Sequence, residues 1–380
     1  MKTMDDIRKD IDKIDDEIAE LYVKRMALCK EIGIKKAEKG SAVNVSEREK
    51  AIVNRITADK DDEMKRYIKN LYDTVFFQSK NYQGKFVKAK SATVDALRKI
   101  RSEKKPDFPV SANVACQGVS GAYSGVAADK LFDINDVTYF KTFEGVFSAV
   151  DKGLCEYGVL PIENSNAGSV SQVYDLMKKY KFYIVKSVRV QISHALCVKK
   201  GVNLSQVKTV YSHEQALMQC AEHLKNLGVK TIPVENTAVA AKMVAESDDE
   251  TIGAICSSDC AEIYNLSVLE RAMQDNGNNF TRFICISKDL KVFKGADKIS
   301  VTTSLANKAG SLNKMLSRFS TLGLNLTKLE SRPIENSQFE FMFYFDFEGD
   351  IESDDVLNLL SDLENSSDKF VFLGSYKEII

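Results

Sequence analysis

Between Ile7 and Ile32 the apolar residues Ile7, Ile11, Ile14, Ile18, Leu21, Leu28 and Ile32 recur in alternating steps of four and three, with Arg25 filling the one gap. That spacing is one face of an α-helix, sustained far beyond an ordinary helix. At 1.5 Å per residue such a helix is about 45 Å long. It cannot bury its stripe against itself, so it needs partner helices. A second is signalled by "SERE" at 46–49, with Ser46 as N-cap and Glu49 as its capping-box partner; Ile52, Val53 and Ile56 continue an apolar face. A third runs from about Asp61 past Gln83, with Met64, Ile68, Leu71 and Val75 on one side. Three helices, one very long, argue for an interlocked dimer rather than a self-contained monomer.

The period then changes twice. Around 84–110 lysines and arginines outnumber acids and the stretch ends in "KKPDFP"; we read residues 89–110 as a basic linker, a solvated spacer that is helical in part. From Ser111 onward "ANVACQG", "YGVLPIEN", "FYIVKSVRVQISHALCV", "TVYSH", "TIGAICS" and "RFICIS" read as strands, alternating with helices at 142–152, 214–227 and 238–246. Strand–helix alternation predicts a doubly wound α/β architecture over 111–290, with two lobes and a ligand crevice between them. From about Ile299 the order is strand, helix, strand, strand, helix, strand, a ferredoxin-like α+β module over 297–380, its first helix closed by Gly323.

A chain of 380 residues accommodates these three folding units. Its net charge of -1 offers no global field for nucleic acid or a membrane surface. No run approaches the ~20 apolar residues of a membrane span, and the charged start "MKTMDDIRKDIDKIDDEI" has no signal-peptide core. Eight cysteines without an export signal read as buried thiols of a cytoplasmic protein. Cys256 and Cys260 lack further Cys or His ligands nearby, so neither a metal nor an organic cofactor is expected.

The helical stripe carries charges that do not belong in a core. Arg25 lies four after Leu21, and Lys36 four after Ile32. Arg8 neighbours the stripe, Arg48 precedes Ile52 by four, and Ser79 and Gln83 follow Val75 in steps of four. Of the acids only Glu49 joins them. Inward cations with few inward carboxylates imply an anionic guest, most simply one with two carboxylates, which arginine forks grip well; Lys36 and Gln83 suit a neutral oxygen. The competing reading has Arg25 and Lys36 reaching past the stripe to water or surface acids. With Arg8, Arg25, Lys36, Arg48, Glu49, Ser79 and Gln83 at its motif positions, the segment 1–88 resembles the all-helical chorismate mutase domain, an intertwined dimer. That resemblance implies rearrangement of chorismate to prephenate, with the arginines on the carboxylates, Lys36 and Gln83 on the ether oxygen, and Arg8 reaching the partner's site. Val45 stands where the family often has Asp, which implies a weakened contact.

The middle region carries "GVSGAYSG" at 118–125, "LPIENSNAGSV" at 160–170, "YSHEQALMQC" at 211–220 and "NGNNFTRF" at 276–283. The first lacks the lysine and spacing of a phosphate loop. The second and third put polar residues at strand ends, where crevice residues belong, and the third opens a helix whose first N–H groups suit an anion. Together "PIENS", "SHEQA" and "NNFTRF" resemble prephenate dehydratase over 111–290, a two-lobed fold like that of periplasmic binding proteins. The resemblance implies loss of carbon dioxide and water from prephenate to give phenylpyruvate. Thr281 would assist departure of the hydroxyl, with Glu163 or Asn164 as its partner; Ser165, Ser212, His213, Gln215, Arg282, Tyr123 and Ser124 would contact substrate. Arg282 points to the face opposite Thr281, so a structural ion pair stays open for it beside a substrate contact. Val119 replaces a proline usual in the first loop.

The last module resembles a phenylalanine-binding ACT domain. "AGSL" (Ala309, Gly310, Ser311, Leu312) and "LESRP" with Glu330, Ser331, Arg332 and Pro333 stand at its effector motifs. The whole is expected to be a bifunctional enzyme of phenylalanine biosynthesis, a homodimer or homotetramer controlled by L-phenylalanine. The alternatives are a non-catalytic amino-acid-responsive binding protein, and a dehydratase acting on arogenate beside a weakened mutase.

Overall fold

The computed structural model describes residues 2–39, 46–86, 91–275, 277–305, 307–308, 310–334 and 341–380. The chain forms two compact units. One contains Met1–Lys99, Thr303–Phe343 and Ile351–Phe370; the other contains Ile100–Thr302, Tyr344–Asp350 and Val371–Ile380.

The first unit begins with α1 (Met4–Lys39), α2 (Ser46–Thr57) and α3 (Asp62–Gly84). Asp61 caps α3 by accepting from Met64 N at 2.8 Å. The capping box expected at α2 rests on Ser46, whose side chain lies outside the described residues, as does Val45. Glu49 reaches Lys80 of α3 at 2.8 Å. α1 approaches α3 closely at Gly33, where a Cβ would stand 3.0 Å from the Gln83 carbonyl oxygen and 3.1 Å from Gln83 Cα. Much of the apolar stripe on α1 stays open to solvent in the single chain: Ile11 is 50% exposed, Ile18 58% and Leu21 64%.

The basic stretch carries the helix expected in part of it. Ala92–Ser102 forms a helix, α4, with Val94 and Leu97 fully buried. Ser91 caps it, accepting from Val94 N at 3.0 Å and donating to Glu364. An apolar pair three apart anchors the helix, while Lys99 is exposed and Arg98 and Arg101 are half-buried.

In the second unit the order is β1 (Ser111–Gln117), α5 (Tyr123–Leu131), β2 (Ile134–Phe140), α6 (Phe143–Asp151), β3 (Tyr157–Asn164), β4 (Gly168–Ser169), α7 (Ser171–Tyr180) and β5 (Tyr183–Gln191). There follow β6 (Ala195–Val198), β7 (Thr209–His213), α8 (Glu214–Gln219), α9 (Ala221–Leu227), β8 (Lys230–Val234), α10 (Thr237–Glu246), β9 (Ile252–Cys256), α11 (Ser258–Ile263), β10 (Ser267–Glu270) and β11 (Phe280–Ser287). The C-terminal segment supplies β12 (Lys298–Leu305), α12 (Ser311–Thr321), β13 (Leu326–Pro333), β14 (Phe341–Glu348), α13 (Asp354–Ser366) and β15 (Phe370–Ile379), the expected βαββαβ order.

Two sheets result. One has the order β13-β14-β12-β15-β5-β11-β3-β1-β2, the other β10-β6-β9-β7-β8. They are mixed rather than wholly parallel: β11 runs antiparallel to both β3 and β5, and β6 antiparallel to β9. The long run "FYIVKSVRVQISHALCV" splits into β5 of the first sheet and β6 of the second. The chain therefore crosses between sheets at 192–194 and returns at 271–279. The helix expected over 214–227 breaks at Cys220, whose φ of -114° and ψ of 17° leave the helical range. Gly374 lets β15 lie on β5: its φ is 151°, and a Cβ there would meet the Ile184 carbonyl oxygen at 2.1 Å.

Candidate active sites

The helical cations converge. Arg25 of α1 donates to the buried Ser79 hydroxyl of α3, and its guanidinium lies 5.7 Å from the Phe76 ring centroid. One turn further on, Lys36 Nζ donates to Gln83 Oε1 at 3.2 Å. Ser79 Oγ in turn reaches the Val75 carbonyl at 2.5 Å. Partial burial lowers the Lys36 pKa, and the charges of Lys80 and Arg48 lower it further. Positive groups crowding one another at a helix seam are what a dianionic guest relieves. Arg48 is exposed at the start of α2. Arg8 stands apart, exposed and 3.6 Å from Asp5. Lys80, the partner of Glu49, is not signalled by the sequence pattern; it lies one residue from Ser79, off the apolar line of α3.

The second site forms where the chain crosses between the two sheets of the second unit. In the β3–β11 register Thr281 stands opposite Asn164, and Arg282 opposite Glu163. Asn164 is thus the residue that meets Thr281, while Glu163 sits with Arg282, Oε2 to Nε 3.9 Å. Asn164 Oδ1 accepts from the backbone of Asn166 at 3.0 Å and Ala167 at 2.9 Å. This fixes the amide orientation, so Nδ2 donates to Thr281 Oγ1 at 2.9 Å and to Asn279 Oδ1 at 2.8 Å. Asn279 Nδ2 donates to Gln219 Oε1 at 2.9 Å, which His194 Nε2 also approaches at 3.0 Å. The chain of amides forces His194 into the tautomer protonated at Nε2, and burial keeps its pKa below the ordinary histidine value.

This polarity has a chemical result. Thr281 accepts from Asn164, so its own proton is directed elsewhere and can be donated to another acceptor. Thr281 is 8% exposed and Asn279 fully buried, which meets the need for a dry site around so weak an acid. Asn279, Gln219 and His194 went unassigned in the sequence. Asn279 is two residues before Thr281 and Gln219 four after Gln215, so each lay on a face already singled out.

The remaining candidates have visible partners. Ser165 Oγ donates to the Asn278 carbonyl and accepts from Phe280 N, each at 3.0 Å. Tyr123 donates to the Ser193 carbonyl at 2.7 Å, its ring 6.5 Å from that of His194. Ser124 donates to the Gln117 carbonyl and the fully buried Ser212 to that of Ile255, both at 2.6 Å. His213 caps α8, accepting from Gln215 N at 3.3 Å. Val119 keeps the first loop turned without proline, through Ala122 N to its carbonyl at 3.0 Å; Gly121 there permits a close approach, since a Cβ would stand 2.6 Å from Cys260 Sγ. Arg282 is buried on Asp346, Nη2 to Oδ2 2.6 Å. Of the two readings left open for it, the ion pair is the one visible in the structure.

At the effector motifs Gly310 adopts φ 83° before α12, which begins at Ser311 and Leu312. Glu330, Ser331, Arg332 and Pro333 lie on β13, with Glu330 3.3 Å from Lys328. Ala309 lies outside the described residues. Among the described residues no cluster could hold a metal ion, and no helix is long and apolar enough to cross a membrane.

Two family models match the chain: chorismate mutase type II over residues 7–84 and prephenate dehydratase over 114–291. A bifunctional chorismate mutase/prephenate dehydratase of Aquifex aeolicus is 34% identical over 100% of this chain and 99% of its own length. Arogenate dehydratase 2 of Petunia hybrida is 37% identical over 69% of this chain and 71% of its own. Among solved structures, prephenate dehydratase of Arthrobacter aurescens in complex with L-Phe superposes with a TM-score of 0.64 at 28% identity, over 70% of this chain and 90% of that one. With both catalytic segments present and the full-length likeness continuous, the chain belongs to the bifunctional chorismate mutase/prephenate dehydratases.

Proposed function

We propose that the two reactions occur at the two constellations described, in sequence. Chorismate binds at the helical seam, its carboxylates held by Arg25 and Arg48 of one chain and Arg8 of a second. Lys36 and Gln83 face the ether oxygen, where negative charge develops as the bond breaks. The exposed stripe of α1 supports a dimer, because a second copy of the same helix would bury it.

Prephenate then loses its ring carboxyl as carbon dioxide. The electron pair left behind aromatises the ring and expels the C4 hydroxyl, which leaves as water on taking a proton from Thr281, itself re-protonated from solvent. The Asn164-to-Thr281 bond carries this assignment, since it leaves the threonine as donor toward substrate. The substrate is prephenate rather than arogenate: the likeness to the bifunctional relatives runs the whole chain and includes a mutase that supplies prephenate.

The βαββαβ module is an ACT domain that binds L-phenylalanine at Gly310–Leu312 and Glu330–Pro333. The ligand of the Arthrobacter relative supports this reading, as does the left-handed Gly310 opening α12. The enzyme works in the cytoplasm. Supplying chorismate and identifying products, with and without L-phenylalanine, tests the proposal: phenylpyruvate that falls in the presence of phenylalanine is expected. Turnover of arogenate in preference to prephenate would contradict the substrate assignment.

A further inference from the structure

Arg282 follows Thr281 on β11 and points to the opposite face, where it is 7% exposed. Its Nη2 lies 2.6 Å from Asp346 Oδ2 on β14, while Nε lies 3.9 Å from Glu163 Oε2 and makes no hydrogen bond. The other Asp346 oxygen accepts from Ser300 Oγ of β12 at 2.6 Å, and Ser300 Oγ shares a hydrogen bond of 2.8 Å with the fully buried Tyr376 hydroxyl of β15. Three C-terminal strands thus contribute polar groups to a cluster around one residue of β11. Glu163, across from Arg282 in the register, is covalently next to Asn164, which orients Thr281. The β11–β3 register also shifts just after Arg282. A buried ion pair confers little net stability over a well-packed apolar pair, so its presence beside the reacting threonine calls for a role other than holding the fold.

We propose that Arg282 is a positioning residue for the dehydratase, shared between Asp346 and Glu163, through which the C-terminal strands set the placement of Asn164 and Thr281. The inference rests on the dehydratase and effector readings above. With Asp346 engaged, the guanidinium is held short of Glu163. β14 continues along the chain from residues of the first unit, Phe341–Phe343, into the second. A displacement of β14 that lengthens the Asp346 bond leaves a buried cation in need of a partner, and the fork closes on Glu163. That draws the end of β3 and alters the Asn164–Thr281 bond.

The test is steady-state kinetics of the full-length enzyme, with prephenate and with chorismate, with and without L-phenylalanine. Asp346→Asn is expected to lower dehydratase kcat about tenfold or more while KM stays within about twofold. The phenylalanine effect should shrink about fivefold or more, and the mutase rate should be unchanged. Ser300→Ala, which loosens Asp346 without removing its charge, should act in the same direction to a smaller extent, and decides the matter if Asp346→Asn does not fold. Wild-type kcat and phenylalanine response in a folded Ser300→Ala or Asp346→Asn protein would overturn the proposal. So would mutase and dehydratase rates falling together, the mark of a purely structural role. A wild-type enzyme that neither turns over prephenate nor responds to phenylalanine would instead refute the reading beneath it.

Discussion

The two sites solve opposite electrostatic problems. At the helical seam Arg25, Lys36, Arg48 and Lys80 supply positive charge close to solvent, which under the proposed function the substrate anions complete. In the second unit Thr281 is served by neutral amides, Asn164, Asn279 and Gln219, and by a histidine that burial keeps uncharged. The first reaction needs charge because negative charge develops on an ether oxygen. The second is driven by aromatisation, so it needs a directed proton more than a field. Charge near water can be assembled on exposed helices; a polarised hydroxyl needs the enclosed crossing between two sheets.

The contrast breaks most sharply at Asn164. Asn164→Ala removes the donor that turns the Thr281 proton outward, and dehydratase kcat should fall by about 10²–10⁴-fold, with chorismate consumption unchanged. Product analysis on both substrates checks it. Arg25→Ala should lower mutase activity by about 10²–10³-fold, while supplied prephenate is still converted at the wild-type rate. The pH profiles should differ by a smaller factor. Lys36 acts protonated and its pKa is lowered by burial and by Lys80 and Arg48. Mutase kcat/KM should therefore fall as pH rises through a value below the ~10.4 of a free lysine, by about tenfold per pH unit. Thr281 and its amide partners do not titrate there, so the dehydratase should lack this limb.

Legibility in the sequence followed side-chain period and charge. The α1 stripe and its misplaced cations could be read because helical spacing is local, and Thr281 through the resemblance of its motif to the dehydratase family, since its place at the entrance of β11 fits a strand-edge residue equally well. Two kinds of feature were hidden. An element with a broken pattern escaped: β8, where Pro233 is tolerated because the strand lies at the sheet edge. Partnerships between distant segments escaped as well. Asn279, Gln219 and His194 become a chain only once two crossings are brought side by side, and Asp346 meets Arg282 across 64 positions of sequence. β15 pairs with β5 at Lys377 and Lys186, so the C-terminal module shares a sheet with the strands that carry Thr281, which no linear reading of 297–380 as a separate module anticipates.

The central claim is that one chain carries two separable sites, with Thr281 responsible for the second. Chorismate given to Thr281→Ala, with prephenate and phenylpyruvate followed over time, tests it most directly. The account predicts prephenate accumulating at the wild-type rate with phenylpyruvate formation lost. Phenylpyruvate appearing at a near-normal rate, or chorismate consumption falling with it, would contradict the account.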